Sequence, residues 1–135
     1  MIFVDANAFI GILNRKSSFH QQAIEKSERL KQESEVLVTS DIVVAETITV
    51  LSSRIDRKLA LVFGSDIEAG NVQIFYLEPD TLNLAWQIFQ TLTSKNVSFF
   101  DCTSFAIIEK YKLSKVFSFD SDFQKYGKKL GWEFV

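Results

Sequence analysis

The opening stretch Ile2-Phe3-Val4-Asp5-Ala6-Asn7 decides the fold. Three apolar, β-prone residues run directly into a carboxylate, and from Ala6 to Leu13 the apolar residues recur at helical spacing. This reads as a short buried strand that ends on Asp5 and turns at once into a helix. The same order returns near the other end of the chain, where Val116-Phe117-Ser118-Phe119 leads into Asp120. Further β-prone runs stand at Val36-Leu37-Val38, Val72 to Leu77 and Trp132 to Val135. Helical periodicity fills the intervals at Ser18 to Glu33, Asp41 to Arg54, Arg57 to Ala69, Asp80 to Ser94 and Asp101 to Lys112. Such alternation predicts an α/β fold, a parallel sheet with helices on both faces. In open sheets of this kind ligands bind beyond the carboxyl ends of the strands, so the residues just after each strand carry the functional information.

The composition agrees with a single globular domain over residues 1–135. At 15.4 kDa the chain buries enough surface for one sizeable core without disulfide or structural metal. With 47% hydrophobic and 24% charged residues, disorder is excluded. The lone cysteine, Cys102, adjoins no basic neighbour and reads as a buried structural thiol of a reducing compartment. There is no basic leader before Asp5 and no apolar run of membrane-spanning length, so a cytoplasmic protein is expected. The net charge of −2 excludes a broad basic face, and any grip on nucleic acid has to be local or metal-assisted.

Asp5 and Asp120, each following a predicted parallel strand, should share one edge of the sheet. Asp101 follows Phe99-Phe100 and opens the next helical pattern, which points its carboxylate toward the same edge. Capping a helix would by itself account for any one of Asp5, Asp41, Asp80 or Asp101. Glu46 is harder to assign to structure. One turn from both Ile42 and Val50, it lies at the margin of the apolar stripe, with no basic residue nearby other than Arg54. A carboxylate so placed needs a cation, either a salt bridge from elsewhere or a metal. Asp5, Glu46, Asp101 and Asp120 make an all-oxygen donor set that suits Mg²⁺ or Mn²⁺, and no His/Cys cluster suited to zinc exists. A hard cation held there would activate water and stabilise a leaving oxygen, which is the chemistry of phosphodiester hydrolysis.

The motifs Phe3-Val4-Asp5-Ala6-Asn7, Val44-Ala45-Glu46-Thr47, Phe99-Phe100-Asp101-Cys102 and Phe117-Ser118-Phe119-Asp120-Ser121-Asp122-Phe123 occur in this order across nearly the whole chain. In order, spacing and length the sequence resembles the PIN domains, and particularly the VapC-type toxins of toxin–antitoxin pairs. The resemblance implies a PIN-like fold with strand order 3-2-1-4-5 and a metal-dependent endoribonuclease. It carries the three core acids onto Asp5, Glu46 and Asp101, and the fourth onto Asp120, with Asp122 close by. Asn7 and Ser118 match polar positions that orient the acids. It also implies an RNA substrate, a homodimer and a cognate antitoxin whose tail enters the acidic site.

His20, far from the acids and without catalytic partners, reads as a structural histidine. Lys125, Lys128 and Lys129, just past Asp120, are placed either to hold RNA phosphates or to form a solvated face. The stripe Leu82, Ala85, Trp86 and Phe89 has the spacing of core, or of a dimer interface. Two other functions compete. A receiver-like or phosphatase module would use an Asp as nucleophile, but wants an acidic pair after the first strand and a lysine where Asp120 stands. A non-catalytic RNA-binding PIN module would be expected to lose carboxylates that repel one another.

Overall fold

A computed structural model describes residues 1–135. Five strands, β1 (Ile2–Val4), β2 (Leu37–Ser40), β3 (Gln73–Phe75), β4 (Lys115–Phe117) and β5 (Glu133–Phe134), form one wholly parallel sheet in the order β3-β2-β1-β4-β5. The expected α/β class and strand order are both present. Seven α-helices connect them: α1 (Ala6–Leu13), α2 (His20–Gln32), α3 (Asp41–Val50), α4 (Arg57–Glu68), α5 (Pro79–Thr91), α6 (Phe99–Lys110) and α7 (Ser121–Lys129).

β1 is central because it can be buried on both faces, and Ile2, Phe3 and Val4 are all inaccessible or nearly so. The chain passes from β1 to β2 on one side and to β4 on the other, so strand order reverses at β1. Val4 pairs with Phe117, and the Asp5 amide donates to the Phe117 carbonyl at 3.1 Å. The crevice between the carboxyl ends of β1 and β4 is therefore the place where such a sheet binds ligands.

Around β4 and β5 the core is aromatic. Phe105 of α6 meets Phe123 edge-on, with centroids 4.6 Å apart, and stacks on Tyr126 at 4.1 Å, with Trp132 beside both. Gly127 admits this packing, since a Cβ there would fall 2.4 Å from the Trp132 ring and 2.7 Å from that of Phe134. The glycine that weakens α7 by helix propensity is thus required by its contacts.

Several local features depart from the sequence expectation. The segment after Asp120, where the sequence pattern predicts no helix, forms the helix α7, so Asp122 stands in a first helical turn. The expected helix to Arg54 ends at Val50 and continues as a π-helical turn, Leu51–Ile55, closed by the Asp56 amide on the Leu51 carbonyl at 2.8 Å. α6 begins at Phe99 rather than at Asp101, because Ser98 and not the aspartate is its N-cap. Of the apolar stripe on α5 only Ala85 is core. Leu82, Trp86 and Phe89 are 43%, 53% and 38% exposed.

Candidate functional site

Asp5 caps β1 and starts α1, yet its side chain makes no helix-capping hydrogen bond. Only 6% exposed, it accepts instead from the Ser118 hydroxyl at 2.9 Å. Ser118 in turn is held by Asn7, whose amide nitrogen donates to its Oγ at 3.3 Å while Asn7 Oδ1 accepts from the Phe119 amide at 2.9 Å. Thr39 ties the neighbouring strand end down, donating to the Val4 carbonyl at 2.7 Å. Ser118 thus joins Asn7 to the Asp5 carboxylate in one hydrogen-bonded chain, and Thr39 is a support that sequence reading missed.

Asp101 takes the third position of α6 in a capping box with Ser98. Its Oδ2 accepts from the Ser98 amide at 2.9 Å, and its own amide donates to Ser98 Oγ at 3.1 Å. The signal was present in Ser98-Phe99-Phe100-Asp101, a serine followed three residues later by an acid. Asp120 is the N-cap of α7 and accepts from the Phe123 amide at 2.8 Å. Both carboxylates are therefore aimed by helix starts, and each keeps a second oxygen free of these capping bonds.

Glu46, half-buried on α3, has no hydrogen-bond partner and no cation within 4 Å. The salt bridge to Arg54 or a lysine, which would have made it structural, is absent. Asp122 is half-buried in the first turn of α7, while Lys125, Lys128 and Lys129 are exposed along the rest of that helix. Because α7 runs back from the carboxyl edge to the start of β5, Lys128 and Lys129 stand at its far end, roughly 12 Å from Asp120 at ~1.5 Å per residue. Lys125 is the nearest of the three to the acids.

Electrostatics join four of these carboxylates into one group. Burial, then the charges of Asp101 and Glu46, raise Asp5 to about 7, against the lowering effect of its bonds from Ser118 and the Ala6 amide. Glu46 is raised by burial and by Asp101 and Asp120. Asp101 is raised by burial and by Asp120 and Asp122, although its bonds from Ser98 oppose this. Asp120 acts on both Glu46 and Asp101, whereas Asp122 acts on Asp101 alone, which makes Asp120 the more central of the two.

As the side chains stand, no three of these groups converge closely enough to hold a metal ion. The donor chemistry nevertheless fits a divalent cation. A buried carboxylate, Asp5, and an unpaired half-buried glutamate, Glu46, both destabilised by burial and like charge, have no cationic side chain of the protein beside them. All available donors are hard oxygens of the kind that Mg²⁺ or Mn²⁺ takes.

The two other reactive side chains stand apart from this chemistry. The Cys102 thiol is buried and pushed up to about 11, chiefly by burial, so it is no nucleophile. His20 spends its Nδ1 on the Gly11 carbonyl at 2.8 Å.

Comparison with known proteins agrees with this architecture. The sequence profile described as PIN domain matches residues 2–129. The 23S rRNA-specific endonuclease VapC20 of Mycobacterium tuberculosis, found in two strains, is 29% identical over 128 residues, which are 94% of this chain and 95% of the relative. The crystal structure of that VapC20, described as a sarcin-ricin loop cleaving toxin, superposes with a TM-score of 0.83 at 27% identity, covering 94% of this chain and 95% of the other. FitAcB from Neisseria gonorrhoeae shares the fold, with a TM-score of 0.67 at 19% identity over 100% of this chain and 96% of that one. The strand order, the superposition and the profile match over nearly the whole length agree: this chain belongs to the PIN domain family and is related to the VapC20 endonuclease.

Proposed function

We propose that the protein is a metal-dependent endoribonuclease that hydrolyses RNA phosphodiester bonds, acting as the toxin of a toxin–antitoxin pair. The observation that carries the reading is the gathering of Asp5, Glu46, Asp101 and Asp120 at one strand-end crevice with no protein cation to neutralise them. Asp5, Glu46 and Asp101 would hold Mg²⁺ or Mn²⁺, with Asp120 as the fourth acid and Asp122 adjacent. A bound divalent ion supplies a water of lowered pKa and charge stabilisation for a phosphoryl group. The chain's own part is placement. Ser118 and Asn7 fix the Asp5 carboxylate, Ser98 fixes Asp101, and the β1–β4 crevice keeps the acids at the reacting edge. The relationship to an rRNA-specific endonuclease supports RNA as the substrate class.

The remaining partners follow from the same reading. A cognate antitoxin is expected to cover the acidic crevice. A second copy of the chain is expected to cover the exposed aromatic face formed by Trp86 and Phe89 of α5 against Phe99 of α6, a surface continuous with the start of the helix that carries Asp101. No helix is long and apolar enough to cross a membrane.

The test is incubation of purified protein with total RNA and Mg²⁺ or Mn²⁺, against a chelated control, with the cut ends mapped. Discrete cuts that require the metal are expected. Acylphosphate formation from acetyl phosphate, with no RNA cleavage, would instead make an aspartate a nucleophile and overturn the reading.

A further inference from the structure

Away from the acids, the chain has a second concentration of charge of opposite sign. Three of its four arginines, Arg15, Arg54 and Arg57, together with Lys16 and Lys58, fall in two short segments: the loop after α1, and the π-helical turn with the start of α4. The fold brings these segments together around a cleft of about 420 Å³, lined by Arg15, Lys16 and Arg54 and floored by Leu13, Ile55 and Leu59.

All of these cations are exposed, and none makes an ion pair within 4 Å. The single anion at the cleft, Asp56, is the N-cap of α4 and accepts from the Lys58 amide at 2.9 Å. In a chain whose overall charge is −2, this is an unneutralised basic pocket.

Its position relative to the acids is fixed by two helices that pack side by side. α1 leaves from Asp5 and delivers Arg15 and Lys16. α3 carries Glu46 and, through the π-helical turn, delivers Arg54 eight residues on. Each path covers about 12 Å of helix, a distance that a strand of RNA spans in a few nucleotides.

The π turn itself is an unusual element of the kind found most often at functional sites. At its start the Thr49 carbonyl accepts from Ser53 Oγ at 2.6 Å and from Ser52 Oγ at 3.2 Å. The turn places Arg54 at the cleft.

We propose that the cleft of Arg15, Lys16 and Arg54 seats RNA phosphates a few nucleotides from the acidic crevice. It supplies a local grip on phosphates in a chain whose net charge of −2 allows no broad basic face. This inference rests on the nuclease reading. Phosphate contacts position a strand without reading its sequence, so the cleft sets how RNA lies across the acids rather than which bases are chosen.

The test uses the full chain and a labelled stem–loop RNA of about 30 nucleotides, with binding measured in chelator over a range of KCl concentrations. The triple variant Arg15→Gln/Lys16→Gln/Arg54→Gln is expected to flatten the slope of log affinity against log salt by about 2, at ~0.7 per contact. That corresponds to on the order of 100-fold weaker binding near 0.1 M salt. The control Lys31→Gln/Lys95→Gln/Lys112→Gln, which removes equal charge from other exposed sites, should leave the slope nearly unchanged. The charge-preserving pair Arg15→Lys/Arg54→Lys should retain most of it.

In metal-dependent cleavage the Gln triple should raise KM with little change in kcat. Wild-type binding with the same slope in the Gln triple overturns the cleft proposal alone, and loss of binding to an acidic peptide in that variant would reassign the cleft to a protein partner. Equal loss in the control triple reduces the effect to net charge and also overturns it. Absence of both RNA binding and cleavage in the wild type overturns the nuclease reading, and the cleft proposal with it.

Discussion

Two groups of carboxylates gather on the helices of this molecule, and they meet opposite conditions. Glu78 and Asp80, at the start of α5, are bridged by Lys110, whose ammonium stands 2.6 Å from one and 3.1 Å from the other. The hydrogen bond from Lys110 holds Asp80 below the usual carboxylate range, and Lys110 itself is raised by its two partners. At the sheet edge, Asp5, Glu46 and Asp101 are all raised, burial first and mutual charge second. The residue types are the same. The difference is that the chain provides the cation in one place and withholds it in the other, where it also buries the acids. Helix capping alone requires neither step, since exposed caps function well in water. Burying like charges together is an expense that a fold carries for a site.

The largest test of the contrast is to remove charge from the unpaired group. Asp5→Asn, Glu46→Gln and Asp101→Asn should each lower metal-dependent RNA cleavage by on the order of 10³-fold with the fold retained by circular dichroism. Full activity in any one would remove that residue from the site. Asp120→Asn should cost more than Asp122→Asn, because only Asp120 acts on both Glu46 and Asp101. The reverse ranking would move the fourth acid to Asp122.

The two groups should also answer pH with opposite sign. Asp5 binds its proton more tightly folded than unfolded, so its stabilising contribution is complete below about pH 4 and is lost as pH rises through about 7. The displacement from 3.8 to about 7 corresponds to roughly 4 kcal/mol for this buried group. Glu46 and Asp101 act in the same direction. Asp80, lowered, stabilises above its unfolded pKa and loses that contribution as pH falls. In chelator, the urea midpoint of the wild type should therefore fall between about pH 5 and about pH 8. The same comparison in Asp5→Asn should show a much smaller fall, and an equal fall would detach the effect from Asp5.

A smaller effect is expected from the residue that orients Asp5. Ser118→Ala removes a donor to the charged carboxylate, so Asp5 should titrate above about 7, and metal affinity should weaken by about 10–100-fold. Unchanged metal affinity with a shifted Asp5 titration would confine Ser118 to a structural role. The smallest effect on function belongs to the paired group. Lys110→Gln should return Asp80 toward the ordinary carboxylate range, read by NMR titration, and leave RNA cleavage unchanged. A loss of cleavage there would join the two groups that the structure separates.

Much of this was legible in the sequence because strand and acid are adjacent in it. A run such as Ile2-Phe3-Val4 followed by Asp5 fixes both the element and the side of the sheet on which the carboxylate emerges. Glu46 was legible as an acid at the margin of an apolar stripe with no cation nearby.

What escaped reading depends on contacts distant in sequence. α7 was hidden because Gly127 breaks its pattern, and only the Trp132 and Phe134 rings explain why a glycine belongs there. The π turn shares its periodicity with an ordinary helix. Trp86 and Phe89 have the spacing of core, and no local signal says that α6 covers only one side of their helix. The start of α6 is a different case, for its Ser98 to Asp101 capping box was written in the sequence and passed over.

The central claim, that the unpaired acids await a divalent cation, is tested most directly by thermal melts near pH 8 with chelator and across a Mg²⁺ or Mn²⁺ titration. The two proteins compared are wild type and Asp5→Asn. In chelator Asp5→Asn should melt higher than wild type, because one buried charge is gone while a side-chain oxygen remains to accept from Ser118. With metal, the wild type should gain stability that grows with free ion concentration, and Asp5→Asn should lose most of that gain. If Asp5→Asn melts lower in chelator and still gains the full metal increment, Asp5 is a structural residue and the acids at this edge do not form a metal site.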